Sequence, residues 1–239
     1  MRRSGLETER VSNPPAMTEG GGPAPSKFKP LADSRSIEEH HWSNLVRFLF
    51  LNTGKRTSIG ICSLAGGGSI AGLVGRMCTR ATAYLNSPVL LIEGYNGRPS
   101  LAETFGVPPA PGMGDLLMSP PEDMYRCIHR TQFPRLWMIP FGRPLPPSEY
   151  SEFEQRCRNL YTALPASLRY IVVALPPIRR RGDVPLLCSA TDRIVLAVRP
   201  RSVAGREIRM ATQRLSAINA KVAGVLWADN RSPEVEIAR

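Results

Sequence analysis

Six short runs fix most of what this chain can become: TSIGIC (57–62), PVLLIE (88–93), LWMIP (136–140), RYIVVAL (169–175), RIVLAV (193–198) and KVAGVLW (221–227). Each is rich in β-formers and apolar throughout rather than at alternate positions. Continuous hydrophobicity of this length predicts strands covered on both faces, as in a parallel sheet. The intervals carry helical patterning at 69–85, 121–130, 148–163 and 203–218. Strands alternating with helices predict a mostly parallel, doubly wound sheet in a three-layer α/β/α arrangement with right-handed crossovers. A chain of 239 residues, 42% of them hydrophobic, suffices for one such domain.

The boundaries follow from composition. Residues 1–35 are rich in Gly, Pro, Ser and charge and read as a disordered arm; 36–230 form the α/β domain; 231–239 read as a short tail. Ser36 is placed to cap a helix over IEEHHWSNLVRFLFL, with two glutamates in its first turn and Trp42, Leu45 and Leu49 at helical spacing. His40 and His41 point about 100° apart on that helix and read as surface residues, not as a metal pair. No apolar run reaches the ~18–20 residues of a membrane span, and no signal peptide opens the chain. A soluble, cytoplasmic protein is expected.

A formal net charge of +11 favours anionic partners, but the charge is diffuse and no aromatic residues interleave with it. Nucleic acid is therefore not expected. The compact basic run is Arg179, Arg180 and Arg181, which reads as a solvated loop or as a contact for an acidic partner. Cys62, Cys78, Cys127, Cys157 and Cys188 form no CxxC pair and no Cys/His cluster, so they read as reduced, buried thiols. Cys62 in particular reads as a strand-end core residue rather than a nucleophile.

In an open α/β sheet the ligand site lies at the carboxyl ends of the strands. The first strand here runs into SLAGGGSI, the second into EGYNGRPSLAETFGV and the fourth into ALPPIRRRG. A strand, a glycine turn and a helix form a setting for phosphate, through backbone N–H groups at the helix start. Gly66, Gly67 and Gly68 supply the turn, yet Ser69 and Ile70 follow where such loops usually carry lysine and a hydroxyl. The glycines are either an anion cradle or a tight turn against the sheet. Glu93, alone among apolar neighbours, requires a partner if buried, with an arginine or lysine expected rather than a metal. Arg98 is expected to anchor the start of a helix at RPSL.

The order and wording of these segments resemble the bacterial tyrosine autokinases of capsule and exopolysaccharide synthesis, a branch of the MinD/ParA-like P-loop proteins. The resemblance rests on VLLIEGYNGRPSLAETFGV (89–107), PGMGDLL (111–117), LWMIPFGRPLPPSEYSE (136–152), LRYIVVALPPI (168–178) and TDRIVLAVRPRS (191–202), in that order. It implies a P-loop-NTPase-like fold over roughly 36–230. The departures fall on the chemistry. Set against the family pattern, Ser69 stands at the phosphate lysine and Ile70 at the magnesium hydroxyl. Glu93 is the surviving first acidic residue, Tyr95 takes the second acidic position, and Ala174 replaces the aspartate of the later strand. The tyrosine-rich tail is absent, Tyr170 being the last tyrosine, and the ring-forming E-x-x-R-x-x-R spacing is not kept.

Phosphoryl transfer depends on positioning and charge neutralisation by these groups. Losing one commonly lowers the rate about 10²–10³-fold, so several losses at one site predict no turnover. The resemblance thus implies a pseudokinase that takes neither ATP nor magnesium. Its expected role is as a scaffold or regulator in polysaccharide synthesis and export, docked on the cytoplasmic part of an inner-membrane chain-length or export protein. Homo-oligomerisation is left open. The alternatives are an active kinase or ATPase using Glu93 and a lysine such as Lys55, and a ParA/MinD-like positioning protein.

Overall fold

The structure, a computed structural model, describes residues 35–51, 56–64, 70–97, 99–118, 124–144, 153–178, 187–198, 203–228 and 233–236. The strands are β1 (Thr57–Ser63), β2 (Val89–Glu93), β3 (His129–Arg130), β4 (Leu136–Ile139), β5 (Tyr170–Ala174), β6 (Arg193–Val198), β7 (Val222–Ala228) and β8 (Pro233–Glu236). They form one sheet in the order β3-β4-β2-β5-β1-β6-β7-β8. The six predicted strands are its parallel centre, and β3 and β8 are antiparallel edges.

The apolar runs divide their residues between the two faces with period two. Ile59, Ile61, Leu91, Val172, Ala174, Val195 and Ala197 enter one core, under helices α1 (Arg35–Phe50), α2 (Ala71–Leu85) and α3 (Leu101–Phe105). Cys62, Leu90, Ile92, Ile171, Val173, Ile194 and Leu196 enter the other. That second core is covered by α4 (Met113–Met118), α5 (Met124–Cys127), α6 (Phe153–Ala163), α7 (Leu187–Ala190) and α8 (Gly205–Ala217). Two separate cores, one on each face, explain why these strands lack any polar alternation. The α/β/α layering and parallel sheet expected from the sequence are present.

Two segments differ from the sequence reading. Of the span 121–130, the described residues 124–130 hold the four-residue α5 and then β3, because Thr131 starts a hairpin: its N–H and hydroxyl both donate to Leu136 O, at 3.2 and 2.9 Å. Within the stretch read as a tail, Pro233–Glu236 pairs with β7, placing Val235 opposite Leu226. That pairing covers the hydrogen-bonding groups that β7 would otherwise leave open at the sheet margin. The expected arm at 1–35 lies outside the described residues except for Arg35, which begins α1.

His40 and His41 are exposed, as expected, while Trp42, Leu45 and Leu49 are buried beneath α1. All five cysteines are free and buried. Burial pushes the Cys188 thiol up to about 12, and burial, followed by the charge of Cys188, raises Cys62 well above its ordinary value. Neither is poised as a thiolate.

Candidate functional site

The carboxyl ends of β1, β2 and β5 meet at the ligand end of the sheet. Gly66, Gly67, Gly68 and Ser69 lie outside the described residues, as do Arg98, Lys55 and Arg179, Arg180 and Arg181. Ile70 stands at the start of α2, 6% exposed and packed into the first core, where it makes no side-chain cap to the helix. Its branched hydrocarbon carries no donor atom for a cation.

Glu93 ends β2 and is 3% exposed. Its carboxylate is committed to the backbone. Oε1 accepts the Leu101 N–H at 2.6 Å and the Ser100 hydroxyl at 3.2 Å, and Oε2 accepts the Phe141 N–H at 3.3 Å. Ser100 is the N-cap of α3, its hydroxyl oxygen accepting the Ala102 N–H at 3.0 Å while donating to Glu93. The sequence Glu93…Ser100-Leu101 therefore closes the loop after β2 on itself, and Phe141 ties that loop to the end of β4. Among the described residues its partners are two amides and a hydroxyl, while Arg98 and Lys55, the basic residues named for this region, lie outside them. Such donors satisfy a buried carboxylate as well as a cation does, without a second charge to desolvate.

Ala174 is fully buried and directly opposite Glu93 in the β2–β5 register. Its carbonyl accepts the Gly94 N–H at 2.9 Å. Beyond it, the chain crosses the end of β1, the Leu175 N–H donating to Ile61 O and the Ile178 N–H to Ser63 O, both at 2.8 Å. Leu175, Ile178 and Leu187 are buried in the second core here. A Cβ on Gly94 would lie 2.6 Å from Leu187 Cδ1 and 2.8 Å from Ala174 O, so this corner is filled by hydrocarbon and main chain. Tyr95 is half-buried against the first core. Burial, and then the adjacent Glu93 charge, push its phenol above the ordinary value. It stays a neutral phenol and supplies no anionic ligand.

One feature next to this corner has no counterpart in the sequence reading. Asp115, 7% exposed, accepts the N–H groups of Gly112 at 2.9 Å and Arg143 at 3.2 Å, and the Arg143 side chain bonds its other oxygen. The loops PGMG and FGR interlock around it. A Cβ on Gly114 would lie 1.7 Å from Arg143 O, and Gly142 sits at φ +73° with Asp115 Oδ2 2.5 Å from where its Cβ would be. The signal was legible as two glycines bracketing the approach to an aspartate, together with a Gly-Arg pair after a strand. Nothing in the spacing joined the two.

No family model matches the chain, and no curated protein does. Solved structures do. The chimerical protein CapA2B2 superposes with a TM-score of 0.66 at 23% identity, over 81% of this chain and 85% of that one. The BceF tyrosine kinase domain gives 0.59 at 20%, over 77% and 72%. The septum site-determining protein MinD of Pyrococcus horikoshii, complexed with Mg-ADP, gives 0.55 at 18%, over 74% and 72%. The chain thus shares its three-layer α/β/α fold with bacterial tyrosine kinase domains and with MinD-like ATPases.

The described donors near the glycine turn, which itself lies outside the described residues, are few. At this corner they amount to one carboxylate, which already receives three hydrogen bonds, facing an alanine. Magnesium demands near-octahedral oxygen ligation from free carboxylates, hydroxyls, phosphates and water. Among the described residues no three of His, Cys, Asp and Glu come together as a metal site.

Proposed function

We propose that this chain is a catalytically inactive relative of the bacterial tyrosine autokinases, acting as a scaffold or regulator in exopolysaccharide or capsule synthesis and export. The observation that carries the reading is Glu93. The acidic residue that the kinase resemblance assigns to metal chemistry here accepts the first N–H of α3 and the Phe141 N–H, opposite Ala174. Three donors fill most of the roughly four lone-pair sites of this carboxylate, so a cation there would compete with the bonds that hold α3 and the end of β4.

The fold shared with tyrosine kinase domains supports the kind of protein, by analogy of architecture. The partner in this reading is the cytoplasmic part of an inner-membrane chain-length or export protein, which would bind a kinase-shaped surface that runs no reaction. Among the described residues no helix is long and apolar enough to cross a membrane.

Calorimetric titration with ATP, with and without magnesium, tests this. The expected result is no metal-dependent binding. Micromolar, magnesium-dependent affinity would replace the scaffold reading with an enzyme built on an unconventional site.

A further inference from the structure

The residues that lead the strands, at the end of the sheet away from Glu93, form a basic row. Arg135 precedes β4, Arg169 precedes β5, Arg56 precedes β1, Arg193 opens β6 and Lys221 precedes β7. The ladder pins three of them. Arg135 O accepts the Val89 N–H at 2.9 Å, Arg169 O the Thr57 N–H at 2.8 Å and Lys221 O the Ile194 N–H at 2.8 Å. Across the order β4-β2-β5-β1-β6-β7 only β2 lacks a basic leader. Five inter-strand steps of about 4.8 Å make the row roughly 24 Å long.

Helices widen it into a face. On one side α1 ends with exposed Arg47 and then Leu51, 52% exposed; on the other, α6 brings exposed Arg158. The acidic side chain set into the row is Asp192, whose Oδ2 accepts the Ser58 N–H at 2.7 Å and hydroxyl at 2.8 Å. Arg56 donates to the carbonyls of Leu164 and Pro165, at 2.6 and 2.9 Å, and Arg193 to Phe48 O at 3.3 Å. Neutral carbonyls fix these guanidiniums in place.

We propose that this strand-leading edge is a docking surface for an anionic lipid bilayer, held by the field of Arg56, Arg135, Arg169, Arg193 and Lys221 with Leu51 as its apolar contact. The geometry favours a bilayer over an acidic protein. The charges are spread evenly on a rigid edge, and the forks of Arg56 and Arg193 point at main chain rather than outward for bidentate pairing. A fluid anionic surface requires field and area, not register. The inference does not depend on the proposed function, since it concerns the opposite end of the sheet.

Co-sedimentation of the full chain with phosphatidylcholine vesicles, plain or containing about 30% phosphatidylglycerol, tests it. Binding is expected only to the anionic vesicles and should weaken as salt is raised. R169E/K221E, and separately R47E/K221E, should each weaken partitioning about tenfold or more. R206E/R209E carries the same charge change on exposed residues of α8 near the other end and should stay within about threefold of wild type. If one edge pair fails to fold, the other decides. The proposal is overturned if plain and anionic vesicles bind alike, if a folded edge variant binds as wild type does, or if the α8 variant loses as much. Capture of polyglutamate without vesicle binding would overturn it too, in favour of an acidic protein.

Discussion

Glu93 and Tyr161 are polar side chains whose buried atoms have opposite fates. Glu93 has three donors; the Tyr161 hydroxyl is buried with no hydrogen-bond partner. Burial, then the neighbouring Cys157, Asp192 and Cys188, push that phenol well above its ordinary value, so it remains a neutral O–H with nothing to bond. Removing it should help: Tyr161→Phe is expected to raise stability by about 1 kcal/mol in urea unfolding, since an unmade buried bond is relieved and the ring is kept. Asp115 predicts a pH dependence. Burial pushes its carboxyl up, but the bond from the Arg143 side chain, the Gly112 and Arg143 amides and the Arg143 charge together leave it below the ordinary value. The unfolded chain therefore binds this proton more readily than the native one. The stabilisation is complete above the ordinary Asp value of about 3.9 and is lost as pH falls from there through the lowered folded value. Asp115→Asn should lower stability by about 1–2 kcal/mol at pH 6, mostly through the amide bonds, because the Arg143 side chain is 81% exposed and water screens its charge. The gap from wild type should narrow in acid unfolding below about pH 4.

The clasp between the loop before α4 and the loop after β4 makes the sharpest prediction among the elements. Gly114→Ala would drive a Cβ to 1.7 Å from Arg143 O, which is main chain and cannot swing aside. A loss of about 3 kcal/mol is expected in denaturant unfolding, with the α4 region most affected. The central strands were legible because two-sided burial leaves a continuous apolar run in the sequence, as in VLLIE and RIVLAV. The edge strands were not. β3 is two residues long, and β8 reads PEVE, a polar alternation that acquires meaning only beside β7. The site was legible in identity and not in wiring. Ile70, Glu93, Tyr95 and Ala174 could be ranked against a motif, but Phe141 comes to Glu93 from 48 residues away, and only the sheet order β4-β2 brings them together.

Seen whole, the molecule has its two ends assigned to different chemistry. Among the described residues, Ile70, Leu175, Ile178 and Leu187 pack as hydrocarbon at the end where the parallel strands finish, and basic residues lead the strands at the end where they begin. The central proposal concerns the first end, where Glu93 would serve to hold Leu101 and Phe141 rather than a cation. Thermal unfolding of wild type and Glu93→Gln, each with and without excess magnesium and ATP, tests it most directly. The account predicts that Glu93→Gln lowers stability by about 1–2 kcal/mol equally in both conditions, because a carboxamide cannot accept from all three donors. It predicts that nucleotide shifts neither protein. A wild type stabilised by about 2.7 kcal/mol at a hundredfold excess of ligand over Kd, with that gain abolished in a Glu93→Gln protein as stable as wild type alone, would contradict it.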